Sequence, residues 1–98
     1  MDTPYAFVAR LEAKPDKAGD LAELLKSAQA LAEAESGTVA WYAAQTSATT
    51  FWIFDTFASQ DARQAHIQGE IAKALMAKKD ELLAADPEIL PADVLAQK

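Results

Sequence analysis

The sequence predicts an α+β domain of the ferredoxin-like kind, a four-stranded antiparallel sheet with helices on one face. Three observations predict it. Residues 5–13 alternate in the manner of a strand, an apolar stripe of helical period runs from Leu21 to Ala32, and two aromatic runs at 38–45 and 49–57 are separated by a short polar turn. A second helical region and a short final apolar run complete the order β-α-β-β-α-β over a single domain, 1–98.

In the first strand Tyr5, Phe7, Ala9 and Leu11 share one side, and Ala6, Val8, Arg10 and Glu12 the other. Lys14-Pro15-Asp16 stops the strand and opens a helix, because an N-terminal turn tolerates proline and favours aspartate. Leu21, Leu24, Leu25, Ala28, Leu31 and Ala32 then form a core-facing stripe, with Gly37 expected as a left-handed cap at its end.

The runs 38–45 and 49–57 are close enough to pair as an antiparallel hairpin. In the second of them Phe51, Ile53, Asp55 and Phe57 lie on one face and Trp52, Phe54 and Thr56 on the other. Both faces carry large apolar groups. One face meets the helices, the other needs a second sheet, and one copy of this chain has none to offer. A homodimer through sheet faces is therefore expected. Parity leaves open which face looks at the helices, since one bulge reverses it.

Ser59 is a good N-cap, and Gly69 is expected to bend or split the helix that follows. A further helical segment covers 70–84, with Ile71, Leu75 and Leu82 as its stripe and Met76 beside them. The final run, 88–96, contains Pro91, which a central strand would not accept. It is read as an edge strand or as one that pairs with a partner subunit.

Composition narrows the function. At 98 residues and 51% hydrophobic, much of it alanine, the chain builds its core from few large side chains and gains from a covering partner. A formal charge of −6 gives no basic surface for nucleic acid or an anionic membrane. With no cysteine, disulfides, thiolate nucleophiles and thiolate-bound metal centres are excluded, and a single histidine cannot supply a two-histidine iron site. No metal and no cofactor are expected. The N-terminus lacks a signal-peptide pattern and no apolar run approaches membrane-spanning length, so the expected location is cytoplasmic.

Two residues stand out. His66, the lone histidine, shares a helix face with Ala62, Ala65 and Gly69, where small neighbours mean either tight packing or room for a ligand. Its ordinary pKa near neutrality suits a general base or a donor to a phenolic oxygen. Asp55 sits inside an aromatic strand, where a carboxylate is costly unless paired. Its partner is His66 in a catalytic reading, and Arg10 or Arg63 in a structural one.

Four stretches, FVARLEAKPDK, LAELLKSAQALAEAESG, the hairpin TVAWYAAQ with TFWIFDTF, and ASQDARQAHI, occur in an order and spacing that resembles the antibiotic biosynthesis monooxygenase domains of the dimeric α+β barrel superfamily. The resemblance implies a homodimer with face-to-face sheets and a pocket between sheet and helices. It also implies cofactor-independent oxidation of a small phenolic or quinol-type aromatic, the substrate giving its own electrons to dioxygen. A dimeric small-molecule binding or accessory protein without turnover is the alternative. His66 matches the family's helix histidine; with Asp55 it forms the expected catalytic pair, and Phe57, Trp41, Trp52 and Phe7 are the expected substrate contacts. The chain departs from the pattern at Phe57, where the family usually has tryptophan. It departs again at Ala9-Arg10, where the haem-degrading branch has asparagine before arginine, which argues against haem.

Overall fold

The computed structural model describes residues 4–98; Met1, Asp2 and Thr3, the first positions of the expected domain, lie outside it. The elements are β1 (Tyr5–Glu12), α1 (Ala18–Ala34), β2 (Thr38–Gln45), β3 (Thr50–Phe57), α2 (Gln60–Ile67), α3 (Glu70–Leu82) and β4 (Glu88–Asp93). The four strands form one sheet in the order β2-β3-β1-β4, antiparallel at every pair. This is the ferredoxin-like topology. β4 takes the outer edge beside β1, and Pro91, opposite Phe7 in a non-hydrogen-bonded pair, turns its nitrogen to the free margin, so no ladder bond is lost.

Cross-strand register assigns the faces. Trp41, Asp55, Phe7 and Pro91 form one row across the sheet; Ala43, Ile53, Ala9 and Ile89 form the next on the same side. This side lies under the helices. Its residues pack with Leu21, Leu25, Leu75, Leu82 and Leu83 into the main core, while Ala28, Ala32 and Ile71 make a second cluster against Trp41. Leu11, Leu21 and Phe57 are fully buried, each stabilising by about 1.5–3 kcal/mol relative to exposure. Leu31 and Met76 sit at the margins of their stripes and stay 37% and 50% exposed.

The opposite side carries the row Tyr42, Phe54, Val8 and Leu90, one residue from each strand. Tyr42, Phe54 and Leu90 are among the exposed large hydrophobic groups.

Two local features, at Gly37 and at the start of α1, differ from the sequence expectation, and a third, the split at Gly69, follows it. No described residue has positive φ, so Gly37 is not a left-handed cap. Helix α1 ends instead at an extended Glu35, and Gly37 is needed for close approach: a Cβ there would lie 2.7 Å from that of Ala62. Lys17, not Pro15 or Asp16, occupies the N-cap of α1 and makes no side-chain capping bond. The helix after Ser59 is two helices, with Gly69 at the N-cap of α3, while Ser59 caps α2 by accepting from the Ala62 N–H.

A bulge between Thr38 and Ala40 shifts the β2–β3 register. It places two residues against one, so Thr38 and Trp41 both reach the helix side although their spacing is odd.

Candidate functional site

The site grows from Asp55, at the centre of β3 on the helix-covered face and only 1% exposed. Carboxylates are rarely left alone at such depth. Its Oδ2 lies 2.8 Å from Nε2 of His66 on α2. The opposite ring nitrogen, Nδ1, lies 2.6 Å from Oε1 of Glu35, in the turn between α1 and β2. Thr38 donates its hydroxyl to that same Glu35 oxygen at 2.7 Å, which the neighbouring bulge allows. One imidazole is thus held end to end between two carboxylates from separate elements.

Small residues make this possible. Gly37 and Ala62 let α2 approach the α1–β2 turn, and a side chain at Gly69 would begin 3.0 Å from Glu35 Oε2. His66 is 9% exposed. Burial by itself would push its imidazole down. The hydrogen bonds and charges of Asp55 and Glu35 outweigh this and raise its pKa above the ordinary value. Each ring nitrogen faces a carboxylate oxygen, the geometry that suits an imidazolium donating both N–H groups.

Aromatic rings wall the imidazole. Phe57 lies 5.0 Å away between centroids and Phe7 6.4 Å away, and the two phenylalanines meet edge to face at 5.9 Å. Arg63 covers the outer side, 5.4 Å above the Tyr5 ring and 5.7 Å above Phe7, while donating to the carbonyls of Ala6 and Ala92. Arg10 pairs with Glu12. Of the partners open to Asp55, the structure selects His66.

The expected site residues separate into two groups. His66, Asp55, Phe7 and Phe57 meet directly, and Trp41 faces Asp55 across β2 and β3. Trp52 does not join them. It lies on the opposite face of the sheet, its indole donating to Thr46 Oγ1 at 2.9 Å, because side chains alternate along β3. Glu35 and Thr38 were not foreseen as site residues: at the end of a helix they read as a solvated carboxylate and a strand start.

One cavity borders the array and another lies beside Trp41. A groove of about 700 Å³ between the end of α1 and helices α2 and α3 is lined by Leu31, Glu35, His66 and Lys73 among others. A second, of about 470 Å³, lies between α1 and β2 and is lined by Trp41, Phe51 and Lys26. Among the described residues no group of three or more His, Cys, Asp or Glu is placed to hold a metal ion. No helix among them is long and apolar enough to cross a membrane.

The family model of the antibiotic biosynthesis monooxygenases matches residues 4–78, which includes every residue of the array. The chain belongs to this family. Antibiotic biosynthesis monooxygenase domains are typically dimeric. Among solved structures, a protein of unknown function from Nitrosomonas europaea is 49% identical, with 98% of this chain and 93% of that one covered at a TM-score of 0.95. A Pseudomonas aeruginosa protein is 23% identical over 98% of each chain, with a TM-score of 0.84. One from Mycobacterium tuberculosis is 22% identical over 96% of this chain and 97% of that one, with a TM-score of 0.85. The last two share the fold. No functionally curated protein matches the chain.

Proposed function

We propose that this family member is a homodimeric oxygenase that oxidises a small phenolic or quinol-type aromatic without a bound cofactor. The observation that carries the reading is the Asp55–His66–Glu35 array beneath Phe7 and Phe57. Within the wall of rings a carboxylate oxygen accepts the phenolic proton, the imidazolium offsets the charge left on the phenolate, and the phenolate is electron-rich enough to reduce dioxygen. In the overall reaction a phenol and dioxygen give a quinone and water, one oxygen atom entering the ring and the other leaving as water.

The roles follow from which atoms are free. Both nitrogens of His66 already donate to carboxylates, so the imidazolium is not the proton acceptor. It orients Asp55 and Glu35 and stabilises negative charge beside it. Asp55 Oδ1, which has no partner within the protein, is the acceptor for the substrate proton. Phe7 and Phe57 confine the ring. The exposed row Tyr42, Phe54, Val8 and Leu90 supports the dimer, since a second copy of the same apolar row would cover it.

Geometry also favours a second reading. A histidine whose two nitrogens are satisfied within the chain cross-links β3, α2 and the α1–β2 turn, as suits a dimeric small-molecule binding protein without turnover. An oxygen electrode combined with a thermal-shift assay over hydroxylated aromatics separates the two. The oxygenase reading predicts ligand stabilisation together with oxygen uptake that His66→Ala abolishes. Stabilisation without uptake selects the binding protein, and uptake at the wild-type rate in His66→Ala overturns the role given to the array.

A further inference from the structure

Two buried polar atoms on the helix side of the sheet have no hydrogen-bond partner, and they belong to neighbouring residues. They are Nε1 of Trp41 and Oδ1 of Asp55. The two residues stand directly opposite each other across β2 and β3, on the same face. One atom can only donate. The other, on an ionised carboxylate, can only accept. Buried polar groups are seldom left unpaired, so an orphan donor and an orphan acceptor on directly paired residues call for partners, and one group can complete both.

Neither atom is free to turn elsewhere. The Trp41 indole is packed against Ala28, Ala32 and Ile71. The other oxygen of Asp55 is fixed at 2.8 Å from His66 Nε2. Trp41 also lines two cavities beside β2, of about 470 Å³ and 320 Å³.

We propose that Trp41 Nε1 and Asp55 Oδ1 form a two-point site for a single hydroxyl group. The indole N–H donates to the hydroxyl oxygen and the carboxylate accepts the hydroxyl hydrogen. This rests on the oxidation proposed above and names the part of the substrate that the site reads, with Trp41 as the residue that positions it. An ether oxygen satisfies the indole and leaves the carboxylate unpaired. An ammonium group does the reverse, and a carboxylate is repelled by Asp55. A hydroxyl serves both atoms, and so does water: the free protein holds a water there that the phenolic hydroxyl replaces.

The occupant is read directly from crystals grown without ligand and with phenol. The expected result is one oxygen within hydrogen-bond distance of both atoms in each, a water in the first and the phenol hydroxyl in the second. A direct bond between Nε1 and Oδ1, or no bridging oxygen in either crystal, overturns the site. A water that remains in place in the presence of phenol overturns its assignment to the substrate.

Titration of phenol against anisole, which lacks the hydroxyl hydrogen, tests the same claim in solution. The wild type should prefer phenol by at least about tenfold, a preference set by Asp55, and Trp41→Phe should weaken phenol and anisole alike while leaving that ratio in place. Equal affinities in the wild type contradict the site without recourse to a variant. Oxygen uptake judges the oxidation separately. A protein that selects phenol and binds it more weakly in Trp41→Phe, but consumes no oxygen, keeps this site and loses the oxygenase reading. One whose oxygen uptake is indifferent to Trp41→Phe keeps that reading and loses the site.

Discussion

His66 is defined less by its own chemistry than by two oxygens, Asp55 Oδ2 at 2.8 Å and Glu35 Oε1 at 2.6 Å. Removing the ring leaves two carboxylates facing a void, so His66→Ala should cost about 3–5 kcal/mol, measured by urea denaturation. The pKa of His66 is raised on folding, so the folded chain holds this proton more tightly than the unfolded one. The stabilisation is fully present below about 6.5, the ordinary imidazole value, and is lost as pH rises through the higher value of the folded state. Urea midpoints should therefore fall above about pH 6.5 in the wild type, and that component should be missing in His66→Gln. At Asp55 the expectation concerns activity. Asp55→Asn keeps the shape but removes the charge, and phenol-dependent oxygen uptake should fall by about 10²–10⁴-fold.

At the scale of elements, the array exists because α2 lies close to the α1–β2 turn. A methyl group at Gly37 would sit 2.7 Å from the Cβ of Ala62, so Gly37→Ala should push the helix away and destabilise by about 1–3 kcal/mol. It should also separate Glu35 from His66. Gly19, in the first turn of α1, has nothing within 4 Å of an added Cβ, and Gly19→Ala should be neutral or stabilising by up to about 1 kcal/mol. Thermal melts of the two variants give opposite signs if close approach, rather than glycine's flexibility, is what Gly37 supplies.

These elements also mark what the sequence makes legible. Alternation along β3 separates Asp55 and Phe57 from Trp52 and Phe54, and that division is the one the register shows. Period and capping residues locate α1, Ser59 and the split at Gly69, because each is encoded within a few positions of itself. Glu35 was out of reach. Its partner is 31 positions away, and nothing near a helix end distinguishes a surface carboxylate from one that a later helix will cover. Gly37 was misread for a similar reason, since its constraint comes from Ala62 and not from its own backbone. Trp52 was grouped with the site because parity does not say which face the helices cover.

For the molecule as a whole, one sheet face is sealed by three helices and the other presents Tyr42, Phe54, Val8 and Leu90 in a single row. Phe54 is 40% exposed, too much for a core residue, and its neighbours in the row are apolar. Self-association through this face predicts twice the chain mass by light scattering at micromolar concentration, and Phe54→Asp should halve it without loss of helical signal. A wild-type mass of one chain would remove the dimer. The −6 net charge is compatible with such pairing because the row itself bears no charge.

Everything assigned to the site depends on His66 being an imidazolium clamped by two carboxylates. It is the chain's one histidine, so a long-range ¹H–¹⁵N spectrum contains a single imidazole and requires no assignment. The expected result at neutral pH is a ring with both nitrogens protonated, losing a proton only above about 6.5. A neutral ring at pH 7, with one nitrogen bare, would contradict the account and return the role of proton acceptor to His66 itself.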